Sequence, residues 1–308
     1  MQKKNFIWKS CSALLMMAMI GLGTVSCGSD DDDNPAPTPT PVVPGDTATT
    51  AVVPTKGTHR YVMMFTNFSD QVVYFKDADI TFEGTTVSVA GLSDFLPDSL
   101  VYGTIDGDVL TLPEAYLGSY KPSEIMETGM PVNFMGATFQ IDRTTGVFTS
   151  KEGFYTLSGQ TPMDHFINIT LNPVVEERAA TPATPQCYFS KFNTGTMYVV
   201  NMNIPLFDTD GRALLSDKLS YVIYYEKNGQ VQPITFTPDL YTKLTEPMTE
   251  IPYRFTDKWD IDNYMVFMNQ GKDELKSWSR VGVQTIYRGG GAENRSEVAW
   301  FDMSTFKW

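Results

Sequence analysis

The chain has 308 residues and carries 36 acidic against 23 basic side chains, which gives a formal net charge of −13. Its length indicates about two domains, and a hydrophobic content of 42% is enough for packed cores. The acidic balance argues against nucleic acid as a partner and against a basic patch that binds anionic lipid.

The first 26 residues have the pattern of an export signal. A basic start, MQKKNFIWK, precedes the apolar run ALLMMAMIGLG, and small residues follow. A transmembrane anchor is the alternative, but the apolar run is short for a bilayer and no basic stop-transfer segment follows it. We therefore predict that residues 1–26 are a signal peptide.

Cys27 follows this signal in the stretch Thr24-Val25-Ser26-Cys27. The stretch resembles the lipobox of bacterial lipoproteins, although Leu is more usual at the position of Thr24. The resemblance implies that the Cys27 thiol is acylated, with palmitate-type chains, and that the chain is cut before it. The SDDDD that follows resembles the export signal of Bacteroidetes lipoproteins. It implies a lipid-anchored protein of the cell outer membrane that faces the exterior.

Residues 27–57 are predicted to form an acidic and proline-rich tether. PAPTPTPVVP favours extended polyproline II, which reaches about 3 Å per residue. The chain has three cysteines, and Cys11 and Cys27 belong to the signal and to the anchor. Only Cys187 is left, so no intramolecular disulfide is expected. Cys187 itself is predicted to be a small buried side chain rather than a nucleophile.

Residues 58–178 are predicted to form a β-domain, barrel-like or sandwich. Short β-branched and aromatic runs are separated by turn residues, and Asp106-Gly107-Asp108 indicates a tight hairpin. VSVAGLSDFLPDSLVYGTIDGDVLTLPEAYLG resembles a module of Bacteroidetes surface lipoproteins of unknown function. That resemblance concerns the fold and the compartment, and it implies no mechanism.

The proline-rich TPATPQC separates this domain from a second one, predicted at residues 183–308. Asn228-Gly229 indicates another hairpin. LSYVIYYEKNG and VGVQTIYRGGGAENRSEVAWFD resemble parts of fibronectin type III modules and other immunoglobulin-like sandwiches. The resemblance implies a β-sandwich, and the fold class expected for the whole chain is all-β.

Residues for catalysis or metal binding are sparse. The chain has two histidines, His59 and His165, and neither a nucleophile elbow nor a phosphate-binding loop. The aspartates within residues 208–211 and 257–262 suit calcium by type, but ordinary Asp-rich turns are the alternative. Acids are too numerous to single out a glycosidase pair. We predict no enzymatic activity, no cofactor and no metal.

Binding is the remaining class of function. Trp259 and Trp278 lie in charged surroundings, DKWDID and KSWSR, and are predicted to bind a ligand from loops or strand edges, with ordinary packing as the alternative. The expected function is a non-catalytic binding module for a glycan or for a host or partner protein. A structural spacer or a subunit of a surface assembly is the alternative, and an accessory to a glycosidase is a further one.

Overall fold

The structure, a computed structural model, describes residues 53–67, 73–123, 128–174, 177–192, 197–239, 244–253 and 265–308. Within these ranges β-strands predominate, and they are accompanied by a short helix, α1 (Lys272–Lys276). The all-β class is therefore confirmed. The chain divides into two compact units between Pro173 and Val174.

Over its described residues, the first unit has eleven strands. They are β1 (Lys56–Asn67), β2 (Val73–Glu83), β3 (Thr86–Ala90), β4 (Val101–Asp106), β5 (Val109–Leu112), β6 (Ala115–Tyr120), β7 (Met130–Phe134), β8 (Ala137–Asp142), β9 (Val147–Ser150), β10 (Phe154–Ser158) and β11 (Thr161–Pro173).

Eight of these strands close into an antiparallel barrel in the order β1-β2-β3-β4-β5-β8-β9-β11, and β11 pairs with β1 to complete it. Of the two predicted arrangements, the barrel is the one found. The first half of β11 continues into a second set of strands in the order β11-β10-β7-β6. We call β6, β7, β10 and the first half of β11 the extension.

The barrel interior is packed with side chains. Its strands alternate between inward and outward residues, as in β4, where Val101 is buried and Tyr102 is exposed. An eight-stranded barrel has an interior just wide enough for side chains to fill. Large and fully buried side chains of this unit are Tyr61, Phe82, Phe134, Phe139 and Phe148.

Both hairpins predicted from short turn motifs are confirmed. Gly107 has a φ of 55° in the turn between β4 and β5. Asn228 and Gly229 have φ values of 53° and 74° and join two strands of the second unit. Positive φ at both central residues is the geometry that Asn-Gly favours in two-residue hairpins.

The described part of the second unit has nine strands. They are β12 (Gln186–Phe192), β13 (Met197–Asn203), β14 (Leu219–Lys227), β15 (Gln230–Pro233), β16 (Glu250–Pro252), β17 (Met265–Met268), β18 (Arg280–Gly289), β19 (Ala292–Arg295) and β20 (Ala299–Asp302).

These strands form two sheets. The first has the order β12-β13-β17, and the second has the order β15-β14-β18-β19, with β16 paired to β14 and β20 paired to β18. The Cys187 thiol of the first sheet lies 3.8 Å from the Val281 carbonyl of the second, so the inner faces of the sheets meet there. Both residues are buried.

The two units begin earlier than the predicted domains. β1 starts at Lys56 and Val53 is buried in the first core, so the end of the predicted tether is part of the first unit. Arg178 donates to Asp208 Oδ2 at 2.6 Å, and Pro182 forms a β-bridge with Asp208. The proline-rich segment between the predicted domains is thereby fastened to the second unit.

Over the described ranges, no helix has both the length and the apolar character needed to cross a membrane.

Candidate functional site

The extension presents two exposed tyrosines on one face. Tyr116 of β6 is 62% exposed and Tyr155 of β10 is 42% exposed. Asn133 of β7 lies directly opposite both Tyr116 and Leu157, so these three side chains share a face. Tyr155 precedes Leu157 by two residues and therefore shares it too.

His165 of β11 completes this surface. It pairs with Tyr155 across the strands, and the two rings meet edge to face with their centroids 5.9 Å apart. Partial burial lowers the pKa of His165, which favours the neutral imidazole. We call the surface formed by Tyr116, Asn133, Tyr155, Leu157 and His165 the aromatic face.

The opposite side of the same strands is buried. Thr156 lies between Tyr155 and Leu157, and Asp164 precedes His165; both point into the protein. The Thr156 hydroxyl donates to Asp164 Oδ2 at 2.8 Å and accepts from the Asp164 backbone N–H at 3.0 Å. These two bonds fasten β10 to β11 where their register shifts. These hydrogen bonds on the buried side therefore fix the position of Tyr155 relative to His165 on the exposed side.

Trp278, predicted to bind a ligand, is a packing residue in the structure. Its side chain is only 4% exposed. One ring face stacks on Tyr225 at a centroid distance of 4.6 Å, and the indole N–H donates to Glu274 at 3.1 Å. The expectation of an exposed ring at Trp278 is wrong, because α1 and β14 cover it.

Three other expected positions lie outside the described residues. They are the lipidation residue Cys27, the second ligand-binding candidate Trp259, and the aspartates of residues 257–262. The predictions made for them stay predictions.

The aspartates near residue 208 form a turn that already has its hydrogen bonds. Asp208 Oδ1 accepts from the backbone N–H groups of Asp210 and Arg212 at 2.9 and 2.8 Å, while Oδ2 accepts from Arg178. This is the ordinary Asp-turn alternative. Within the described part of the chain, no group of three or more His, Cys, Asp and Glu side chains is arranged to hold a metal ion.

The other residues considered for chemistry, Cys187, His59 and the glycines near residue 290, have structural roles. Cys187 is buried, and burial raises the pKa of its thiol to about 12, which leaves it protonated and unreactive. His59 Nε2 lies 3.0 Å from the carbonyl oxygen of Lys56. Gly290 and Gly291 form the turn of the β18–β19 hairpin, which is closed by the pairing of Gly289 with Ala292.

Sequence reasoning singled out neither tyrosine of the aromatic face, because strands β6 and β7, which place Tyr116 on the same face as Tyr155 of β10, were not predicted. The signal was present in AYLGSY and FYTLS, where a tyrosine stands beside residues that pack inward. An aromatic side chain on the outward side of a half-buried strand marks a surface that can take part in binding.

Comparison with known proteins does not assign this chain to a family. No family model matches the chain, and no curated protein matches its sequence.

Proposed function

We propose that this protein is a lipid-anchored outer-membrane surface protein that binds a neutral glycan, without catalysis, on the aromatic face. The observation that carries the proposal is the pair of exposed rings, Tyr116 and Tyr155, on one side of the extension. The two rings stand on strands separated by one other strand, which places β6 and β10 about 10 Å apart at the standard strand spacing, and Tyr155 is displaced by two residues along its strand. An extended ligand with several similar units fits that spacing better than a compact one.

The chemistry of the face suits sugars. The C–H side of a sugar ring packs against an aromatic ring, and tyrosine keeps a hydroxyl at its wet edge. Asn133 and His165 lie beside the rings and offer an amide and a neutral imidazole, which can donate to and accept from hydroxyl groups. The net charge of −13 disfavours polyanionic ligands, so a neutral glycan is the class that fits.

A non-catalytic role is supported by the composition of this face. Glycoside hydrolysis uses two carboxyl groups that flank the scissile bond. The aromatic face, as defined by its five residues, carries none. The nearest carboxyl group in sequence, Asp164, lies on the buried side of the same strands.

The lipid anchor and the location rest on sequence. The lipobox-like stretch that ends at Cys27 and the acidic residues after it support acylation and export to the outer face of the outer membrane. Acylation with more than one chain would anchor the protein stably. The tether then holds the folded units away from the lipid.

We also propose that the second unit is an immunoglobulin-like sandwich of the fibronectin type III kind. Its strand order supports this: β14 and β18 are neighbours in the larger sheet, with β19 and β20 on the far side of β18. In immunoglobulin folds strands C, F and G are adjacent in the same way, and the facing sheet is built around strands A, B and E, with D at its edge in constant-type domains. β12, β13 and β17 correspond to those three.

Replacing both tyrosines of the aromatic face should abolish glycan binding. We expect the purified protein to be retarded in gels that contain one or more neutral polysaccharides of a panel. Tyr116→Ala and Tyr155→Ala should each weaken binding about tenfold, since a stacked ring at the centre of a site contributes upwards of 1.4 kcal/mol.

The matched control is Tyr102→Ala on the barrel, because Tyr102 is also 62% exposed but lies on β4. It should leave retardation unchanged. If Tyr102→Ala weakens binding as much as the two face variants, the binding surface is not the aromatic face. If no polysaccharide of the panel binds, the glycan proposal fails, and a protein ligand or a spacer role becomes the better account.

A further inference from the structure

Asp164 is a buried carboxyl group that glycan binding itself does not use. Its side chain is only 3% exposed, on the inner side of the extension. Oδ2 accepts hydrogen bonds from the Ser93 and Thr156 hydroxyls at 2.7 and 2.8 Å, and Oδ1 accepts one from the Asp94 backbone N–H at 3.1 Å. A carboxylate buried away from water loses its hydration, and these three hydrogen bonds compensate for that loss.

Two of the three donors belong to the segment of residues 91–100, which connects β3 to β4. We call this segment the latch loop. The Ser93 hydroxyl also accepts from the backbone N–H groups of Phe95 and Leu96, at 3.2 and 3.3 Å. The conformation of the latch loop therefore depends on the same hydroxyl that donates to Asp164.

The latch loop in turn packs against β6, the strand that carries Tyr116. The ring of Phe95 meets the ring of Tyr120 edge to face at a centroid distance of 4.9 Å. Leu96 lies against Gly118, where an added Cβ would be 3.4 Å from its side chain. The loop thus connects the surroundings of Asp164 on β11 to the other end of the extension.

The charges around Asp164 are few. Lys76 of β2 and Asp94 of the latch loop are the charged groups that act on it. Lys76 Nζ lies 3.0 Å from Asp94 Oδ1 and 3.3 Å from the Leu92 carbonyl oxygen, with the Phe166 ring 4.6 Å from it. His165 is adjacent in sequence, but it belongs to the opposite face. When Asp164 is ionised, the single positive charge of Lys76 therefore faces the negative charges of two carboxyl groups, those of Asp94 and Asp164.

We propose that Asp164 and the latch loop form a proton-linked latch, which is held closed when Asp164 is protonated and loosens as Asp164 ionises. Ionisation places a second negative charge beside Asp94 in a dry site, and opening of the loop lets water reach it. The closed site accepts either protonation state, because the Ser93 and Thr156 hydroxyls rotate to donate or to accept.

The direction of the pH dependence follows from the surroundings of the carboxyl group. Burial, and then the charge of Asp94, raise the pKa of Asp164 above its ordinary value of 3.8, while Lys76 and the hydrogen bonds from Ser93 and Thr156 oppose them only in part. The closed state thus retains the proton more strongly than the open state. The extra stability of the closed state is fully present below pH 3.8 and is lost as the pH rises through the raised pKa of Asp164. Above that pKa the stability of the closed state no longer changes with pH.

Hydrogen exchange of the latch loop tests this without any ligand. We would follow peptides that cover residues 91–100 between pH 3.5 and 8, in the full chain and in Asp164→Asn. The ratio of loop opening in the wild type to that in the variant cancels the intrinsic pH dependence of exchange. It should rise with pH by up to about tenfold per pH unit and then level off. A peptide from β14 should show a constant ratio, and a constant ratio at the latch loop would overturn the proposal.

Two further variants keep the test decisive if Asp164→Asn folds poorly. Asp94→Asn removes the charge that helps raise the pKa, so the pH at which opening levels off should fall. Lys76→Gln removes the charge that lowers it, so that pH should rise. Shifts in the same direction, or none, would contradict the latch.

A consequence for binding rests on the proposed function: glycan affinity should weaken over the same pH window in the wild type and not in Asp164→Asn. Exchange that follows the prediction without any glycan binding would leave the latch standing and remove the proposed function. Glycan binding with pH-independent opening ratios would do the reverse.

Discussion

Replacing Gly153 by alanine should destabilise the first unit by roughly 3 kcal/mol or more. Gly153 precedes β10 and has a φ of 68°, a backbone region that a side chain disfavours. An added Cβ would lie 1.8 Å from the carbonyl oxygen of Phe166 on β11. Because the obstacle is backbone, β10 must move away from β11, and the extension loses its connection to the barrel.

Gly159→Ala is the matched control for this change. Gly159 follows β10 with a φ of 61°, but an added Cβ meets nothing within 4 Å, so only about 1 kcal/mol should be lost. Chemical unfolding followed by circular dichroism measures both. The tryptophans that follow the signal lie beyond residue 173, so tryptophan fluorescence reports the second unit and should change little. Equal losses in the two variants would contradict the packing of β10 on β11 described here.

Replacing Cys27 by alanine should remove nearly all of the protein from the membrane fraction of the cells that produce it. Each buried methylene of an acyl chain contributes about 0.8 kcal/mol to membrane binding, and the variant has no thiol to acylate at that position. Fractionation followed by immunoblotting measures the distribution. Protease treatment of intact cells should release the folded units of the wild type.

Cys11→Ala is the control, because Cys11 lies within the predicted signal and should not carry the anchor. That variant should remain in the membrane fraction. A Cys27→Ala variant that still sediments with membranes would exclude the lipid anchor. Wild-type protein that stays protected from added protease would exclude the exterior location.

Local turn chemistry made part of the fold predictable. Gly107 and Asn228-Gly229 specify their hairpins because few residues reach positive φ at little cost. The barrel was harder to infer, since closure depends on the pairing of β1 with β11, about a hundred residues apart. No local pattern encodes a pairing of that range.

The positions of some strands could not be predicted from the sequence, because strand register rather than hydrophobicity decides them. The buried apolar residues after the Asn228-Gly229 turn are Ile234 and Phe236, but β15 spans Gln230–Pro233 and is exposed throughout. The two-residue turn at Asn228-Gly229 starts the return strand at once, at the sheet edge. β6 and β7 were not predicted for a related reason, since no residue of β6 is fully buried and only one side of β7 is buried.

The candidate site was predicted least well. The charged residues of KSWSR suggested an exposed Trp278, but its buried indole donates to another charged residue, Glu274, four positions before it. A charged residue four positions away therefore accompanies a buried ring here rather than a solvent-exposed one. The aromatic face depends on which strands lie side by side, and this information appears only in the folded chain.

The most direct test of the account is the affinity of purified wild-type protein for neutral oligosaccharides of increasing length, drawn from a polysaccharide that binds. Affinity should increase until the chain spans Tyr116 and Tyr155 and then stay level, because the second contact becomes intramolecular once the first is made. Either single alanine variant should hold the affinity at the level of the short chains. Affinity that does not depend on length, or that depends on it equally in the variants, would contradict binding across the aromatic face.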